Sequence, residues 1–185
     1  MFHARFPLTV LTALVLSTTA GCGDDALTAG PGPAAAPAVW RLDAAPDHAV
    51  DIAAAKTTAK EGDTVTIRGK IGGRMQPLTE ESGLIVLMDH AVPSCADNPD
   101  DGCPTPWDYC CETPETISAH AATVQVRDAG GNPVTLPEGA FSGLDELVVV
   151  GTVAPRPNDD TLVLHATGVY RAAEFAGPGH DGHDH

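Results

Sequence analysis

Gly62-Asp63-Thr64-Val65-Thr66-Ile67-Arg68-Gly69-Lys70-Ile71 is the stretch on which the fold turns. Apolar and polar side chains alternate through it. Val65, Ile67 and Ile71 fall on one face, Thr66, Arg68 and Lys70 on the other. A period of two predicts a strand with one buried face. Gly69 falls in the buried-side register, where a missing side chain marks a bulge or a sharp bend. Just upstream, Asp51 is placed to cap a helix over 52–60, with Ala53, Ala54, Ala55 and Ala59 as helix formers and Gly62 as the stop.

Four further strands follow. Leu84 to Asp89 is a continuous apolar run, and Thr123 to Asp128 alternates before the turn signal Ala129-Gly130-Gly131-Asn132-Pro133. Glu146 to Ala154 and Thr161 to Tyr170 make a last pair around Pro155-Arg156-Pro157-Asn158-Asp159-Asp160, and 138–145 reads as a short helical turn. Gly151 repeats the mid-strand glycine of Gly69. In this order the elements resemble the OB-fold, a five-stranded Greek-key barrel. The nearest resemblance is to small exported bacterial OB-fold domains that open with a helix leading into G-D-x-V-x-x-x-G-x-I, here residues 62–71. The likeness spans roughly residues 49–171. It implies a mainly β, OB-like domain over 46–175, with a preceding short helix and a Cys-rich insertion (90–121) between strands 2 and 3. Another small antiparallel barrel or sandwich is the alternative, since alternation does not report how a sheet closes.

OB-folds often bind nucleic acid, but the composition speaks against that partner. The net charge is −15, and only 4% of residues are aromatic. Phosphate binding needs Lys and Arg, and single-strand binding needs stacking platforms.

The N-terminus sets the compartment. A cationic start with Arg5, an apolar stretch from Leu8 to Leu16 and the ending Thr19-Ala20-Gly21-Cys22 have the layout of a secretory signal. Thr-Ala-Gly-Cys resembles a bacterial lipobox. That resemblance implies a signal peptide over 1–21, lipid on Cys22 and a protein anchored in the cell envelope, facing the periplasm. Membrane attachment is then through acyl chains. Residues 22–45, rich in Pro, Ala and Gly, read as a tether, and 176–185 as a disordered tail.

With Cys22 lipidated, Cys95, Cys103, Cys110 and Cys111 remain, all inside the insertion. An even set in an oxidising compartment predicts two disulfides. Bonding the neighbours Cys110 and Cys111 would distort the backbone. Two pairings are left open: Cys95–Cys110 with Cys103–Cys111, or Cys95–Cys111 with Cys103–Cys110. The competing reading is a zinc or copper site drawing on these thiolates with Asp89, His90 and His120. A redox-active pair is a third, although no C-x-x-C is present. Asp97, Asp100 and Asp101 lack the regular spacing of a calcium loop and read as a solvated turn. Trp107 and Tyr109 are candidates either for a small core or for an aromatic rim that meets an envelope protein partner. In the tail, His180, His183 and His185 alternate with Asp181 and Asp184 and could capture a divalent metal.

No Gly-x-Ser-x-Gly, His-Glu-x-x-His or phosphate loop occurs. The sequence therefore predicts a non-enzymatic, lipid-anchored binding protein. The alternative is a periplasmic metal- or thiol-handling protein that uses the insertion and the His-rich tail.

Overall fold

The computed structural model describes residues 39–98 and 100–176. The signal peptide, Cys22, most of the tether and the histidines His180, His183 and His185 lie outside the described residues.

Five strands form the barrel: β2 (Thr64–Ile71), β4 (Leu84–Met88), β5 (Ala121–Val126), β6 (Glu146–Val153) and β7 (Val163–Ala173). Strand β2 pairs antiparallel with both β4 and β6, β4 with β5, and β6 with β7. Strands β5 and β7 run parallel and close the circuit. One parallel pair in an otherwise antiparallel, five-stranded closed circuit is the OB-fold connectivity. Two short strands add to it, β1 (Val50–Asp51) beside β2 and β3 (Leu78–Thr79) beside β4. Among the described residues there are two α-helices, α1 (Ile52–Thr58) and α2 (Pro114–His120), and neither is long enough to cross a membrane.

The alternation read from the sequence becomes the barrel interior. Ile67, Ile71, Ile85, Leu87, Val124, Val126, Val149 and Leu164 are fully buried. Each contributes about 1.5–3 kcal/mol of transfer free energy. Helix α1 closes one end with Ile52, also fully buried. Gly69 is the reason it can: a Cβ there would lie 2.6 Å from the Met88 carbonyl oxygen and 2.9 Å from Ile52 Cδ1. This glycine marks a close approach, at the point where β2 leaves β6 and pairs with β4. Gly151 also marks a close approach, for a Cβ there would lie 2.8 Å from the His165 carbonyl oxygen, and a register shift in the β6–β7 ladder falls between it and Val150.

Several expectations need adjusting. Asp51 ends β1, and its side chain pairs with Arg68 at 2.6 Å instead of capping α1. The carboxylate at that helix end is Asp89, whose Oδ2 accepts from Ala53 N at 2.9 Å. The expected helical turn at 138–145 is a run of turns, because Gly139 and Leu144 have φ of +66° and +67°, incompatible with a right-handed helix. Trp40 and Leu42, read as tether, pack on the barrel. Trp40 is buried against Phe141, with ring centroids 5.9 Å apart; its carbonyl accepts from Val169 N, and Leu42 N donates to the Val169 carbonyl.

Two cations, buried Lys56 and half-buried Arg156, fasten the end of the barrel at α1. Lys56 Nζ donates to the Ser118 and Asp160 carbonyls, tying α1 to α2 and to the β6–β7 loop. From that loop Arg156 donates to the Lys56 and Ala59 carbonyls at the C-terminal end of α1.

Candidate metal centre in the cysteine-rich insertion

The insertion leaves the barrel at Asp89 and returns at Ala121 through α2. Its first turn, Cys95–Asp97, is fixed by the Asp97 carboxylate, which accepts from Ser94 N (2.7 Å) and Ser94 Oγ (2.8 Å). Lys70 on β2 faces the same carboxylate at 3.5 Å. Asp97 is thus committed to holding the turn.

A small apolar core of Met88, Val92, Tyr109 and Leu144 joins insertion to barrel. Tyr109 adopts φ +57°, a left-handed conformation unusual for a side chain of its size. Burial of the whole ring holds it there. An exposed rim that includes Tyr109 is therefore ruled out: the ring is 0% exposed. Trp107 is half-buried. Its Nε1 donates to the Met75 carbonyl at 3.1 Å, and its own carbonyl accepts from Gly73 N at 2.9 Å. The indole lies on Gly143, where any Cβ would come within 2.7 Å of it. One side of Trp107 lines an open groove of about 710 Å³ together with Met75, Leu78, Glu80, Phe141 and Phe175.

The left-handed turn at Tyr109 brings the cysteines together. Cys110 Sγ stands 3.8 Å from Cys103 Sγ and 3.9 Å from Cys95 Sγ. Donor atoms of Cys95, Cys103, Cys110 and Asp108 all lie within 4.8 Å of one another. A second group, Cys95, Asp101 and Cys111, meets the same limit, with Cys111 Sγ 3.8 Å from Asp101 Oδ2. Asp108 is oriented by Thr105 Oγ1, which donates to its Oδ2 (2.8 Å), and by Cys110 N, which donates to its Oδ1 (2.9 Å). Either oxygen keeps a lone pair for a cation. Hydrogen-bonded carboxylates of this kind are the usual support of a metal ligand.

The electrostatics follow from this packing. Burial pushes the Cys95 thiol above its ordinary value. The Cys110 thiol is pushed up as well, first by hydrogen bonding to Cys103, then to Asp108 and Cys95. Burial acts to raise the Asp108 carboxyl, but the hydrogen bonds from Thr105 and Cys110 outweigh it and hold the group below its ordinary value. Neutral thiols are poor nucleophiles, and Cys95 and Cys110 are the two cysteines this packing favours in that form. The donors of the cluster can instead hold a metal ion, which displaces the thiol protons on binding.

The histidines named as ligands are elsewhere. His90 Nε2 faces Glu146 Oε1 at 3.5 Å, and His120 Nδ1 meets the Thr116 carbonyl at 3.0 Å at the end of α2. Neither belongs to the two donor groups. Asp89 does not either: it is buried and accepts from Ala53 N and Ala91 N. Asp108 is the donor that sequence reasoning missed, and Asp101 was read there as part of a solvated turn. The cue for Asp108 was its Asx-turn position in Thr105-Pro106-Trp107-Asp108-Tyr109-Cys110.

No protein-family model and no curated protein matches this sequence. Among solved structures, the chain is similar to the hypothetical protein ygiW from E. coli, at 11% identity and a TM-score of 0.36, over 68% of this chain and 90% of that one. It is also similar to an aspartyl tRNA synthetase from Entamoeba histolytica, at 10% identity and a TM-score of 0.45, over 78% of this chain. The match spans only 27% of the synthetase. The OB-fold assignment rests on the strand connectivity, and the site on its own geometry.

Proposed function

We propose that this chain is a lipid-anchored, exported OB-fold protein that binds zinc through its Cys-rich insertion, with Cys95, Cys103, Cys110 and Asp108 as ligands. The observation that supports this most is the pair of sulfur–sulfur separations at Cys110, 3.8 and 3.9 Å. A tetrahedral ion with metal–sulfur bonds of about 2.3 Å sets its sulfurs about 3.8 Å apart. A disulfide would bring them to about 2.0 Å. Three thiolates with one carboxylate suit zinc better than copper(I), which favours an all-sulfur environment. In this reading the ion replaces the two disulfides as the staple of the insertion, and the role is binding, without catalysis.

Export and the anchor are part of the proposal, supported by the signal layout and by Cys22. The disulfide reading keeps one geometric argument. Cys103 lies 3.8 Å from Cys110, and Cys95 and Cys111 belong to one donor group, so the sulfurs of that pairing are already neighbours.

One preparation tests both. Protein purified from the envelope fraction should contain zinc by elemental analysis, and after denaturation and chelation four cysteines should alkylate without reductant. Absence of metal, with no alkylation until reductant is added, would replace the zinc reading by the disulfide one. Fatty-acid labelling that persists in Cys22→Ser would remove the anchor.

A further inference from the structure

Cys95 belongs to both donor groups. With Cys103, Cys110 and Asp108 it makes a four-donor set, and with Asp101 and Cys111 a three-donor set. Cys110 and Cys111 are sequence neighbours, yet their sulfurs serve different groups. The adjacent cysteines, awkward around a single tetrahedral ion, are thereby accounted for: each shares Cys95 with a different set of donors. A thiolate sulfur has lone pairs for two metals, so one shared cysteine can serve both sets at once.

The two sets differ in what surrounds them. The four-donor set supplies all the ligands a tetrahedral ion needs, the mark of a closed structural site. The three-donor set leaves one position open. It lines a surface pocket of about 230 Å³ that Cys95, Asp101 and Cys111 share with Asn98 and Glu112. Cys110 and Cys111 are both exposed, one in each set, so the sets are told apart by donor number and by this pocket. An ion there keeps a coordination position facing solvent, where water or a donor from another molecule can bind.

We infer that the insertion holds two zinc ions bridged by the Cys95 thiolate, a closed one at Cys103, Cys110 and Asp108 and an open, exchangeable one at Asp101 and Cys111. This rests on the zinc reading above and adds a second site with its own behaviour. The open ion can be handed to, or taken from, a competing ligand while the closed ion keeps the insertion folded. Each thiol that ligates releases its proton, and no redox change is involved.

The test uses the full chain with His180, His183 and His185 replaced by alanine, so that tail imidazoles do not add to the count. Native mass spectrometry of this protein in excess zinc should show two ions per chain. A chromophoric chelator should then remove them in two phases of equal amplitude, the faster at least about tenfold quicker. Cys111→Ser and Asp101→Asn should each abolish the fast phase and leave one ion. Cys103→Ser should weaken the slow ion. Cobalt(II) substitution gives an independent reading: thiolate-to-cobalt absorption should grow through two equivalents, not one. A single tightly held ion, unaffected by Cys111→Ser, would overturn the two-ion inference and leave the zinc reading intact. No ion at all would overturn both.

Discussion

Asp89→Ala separates a structural carboxylate from a metal ligand. Asp89 is 1% exposed, and its two oxygens accept from Ala53 N and Ala91 N, each at 2.9 Å. Ala53 is the second residue of α1, where an unmet N–H is normally satisfied by a capping side chain. Loss of that cap costs about 1 kcal/mol, with a range of roughly 0.5–2. The second donor, on exposed Ala91, can turn to water and costs at the low end of about 1–3 kcal/mol. The sum is about 2–3 kcal/mol. A domain of this size loses roughly 3–4 °C per kcal/mol, so the melting temperature should fall by about 6–12 °C. Asp89→Asn keeps one acceptor and should lose about half as much. Differential scanning calorimetry reads the shift, and elemental analysis should find the zinc content unchanged in both variants. A shift below about 2 °C, or loss of zinc at an unchanged melting temperature, would refute this role for Asp89.

Gly69→Ala should destabilise by about 1–3 kcal/mol, because its Cβ would meet a backbone carbonyl and the buried Ile52 side chain; chemical denaturation with an unchanged midpoint would contradict the close approach. Tyr109→Phe should be neutral or slightly stabilising, since the buried hydroxyl has no hydrogen-bond partner among the described residues; a loss above about 1 kcal/mol would show that the hydroxyl is engaged. Asp51 is held below its ordinary value of 3.8, first by the hydrogen bond from Arg68. Its folded pKa is the lower one, so its contribution is complete above 3.8 and is lost as pH falls through the folded value. The pair is half-exposed, so Arg68→Gln should cost little at pH 7, and urea titrations should show that small difference vanishing in acid. Deleting residues 177–185 should leave the melting temperature and the cysteine-bound zinc unchanged while reducing weak copper or nickel capture; loss of the cysteine-bound ion would show that the tail supplies a ligand.

The barrel was legible because its physics is local. Strand β2 was read at its true limits, and β4, β5, β6 and β7 were placed within a few residues, since alternation reports burial directly. Part of what failed depends on distant residues. Asp51 has the form of a cap, but Asp89 lies 36 positions beyond Ala53 and takes the role. Helix α2 carried its own cue, with Pro114 at its first turn and Thr113 Oγ1 accepting from Thr116 N, but the cysteines beside it drew the reading. At the site, composition located the four cysteines and could not say which sulfurs meet. That depends on the left-handed turn at Tyr109, which no local pattern announces. His90 and His120 were drawn in as metal-binding residue types near cysteine, and the fold directs them to Glu146 and Thr116.

The most direct measurement is zinc K-edge X-ray absorption on the purified protein. The account predicts a sulfur shell at about 2.3 Å together with a shorter oxygen contribution near 2.0 Å, the sulfur shell shrinking in Cys103→Ser and Cys110→Ser. A spectrum with only nitrogen and oxygen neighbours, or a protein without zinc whose four insertion cysteines are joined in pairs, would contradict it.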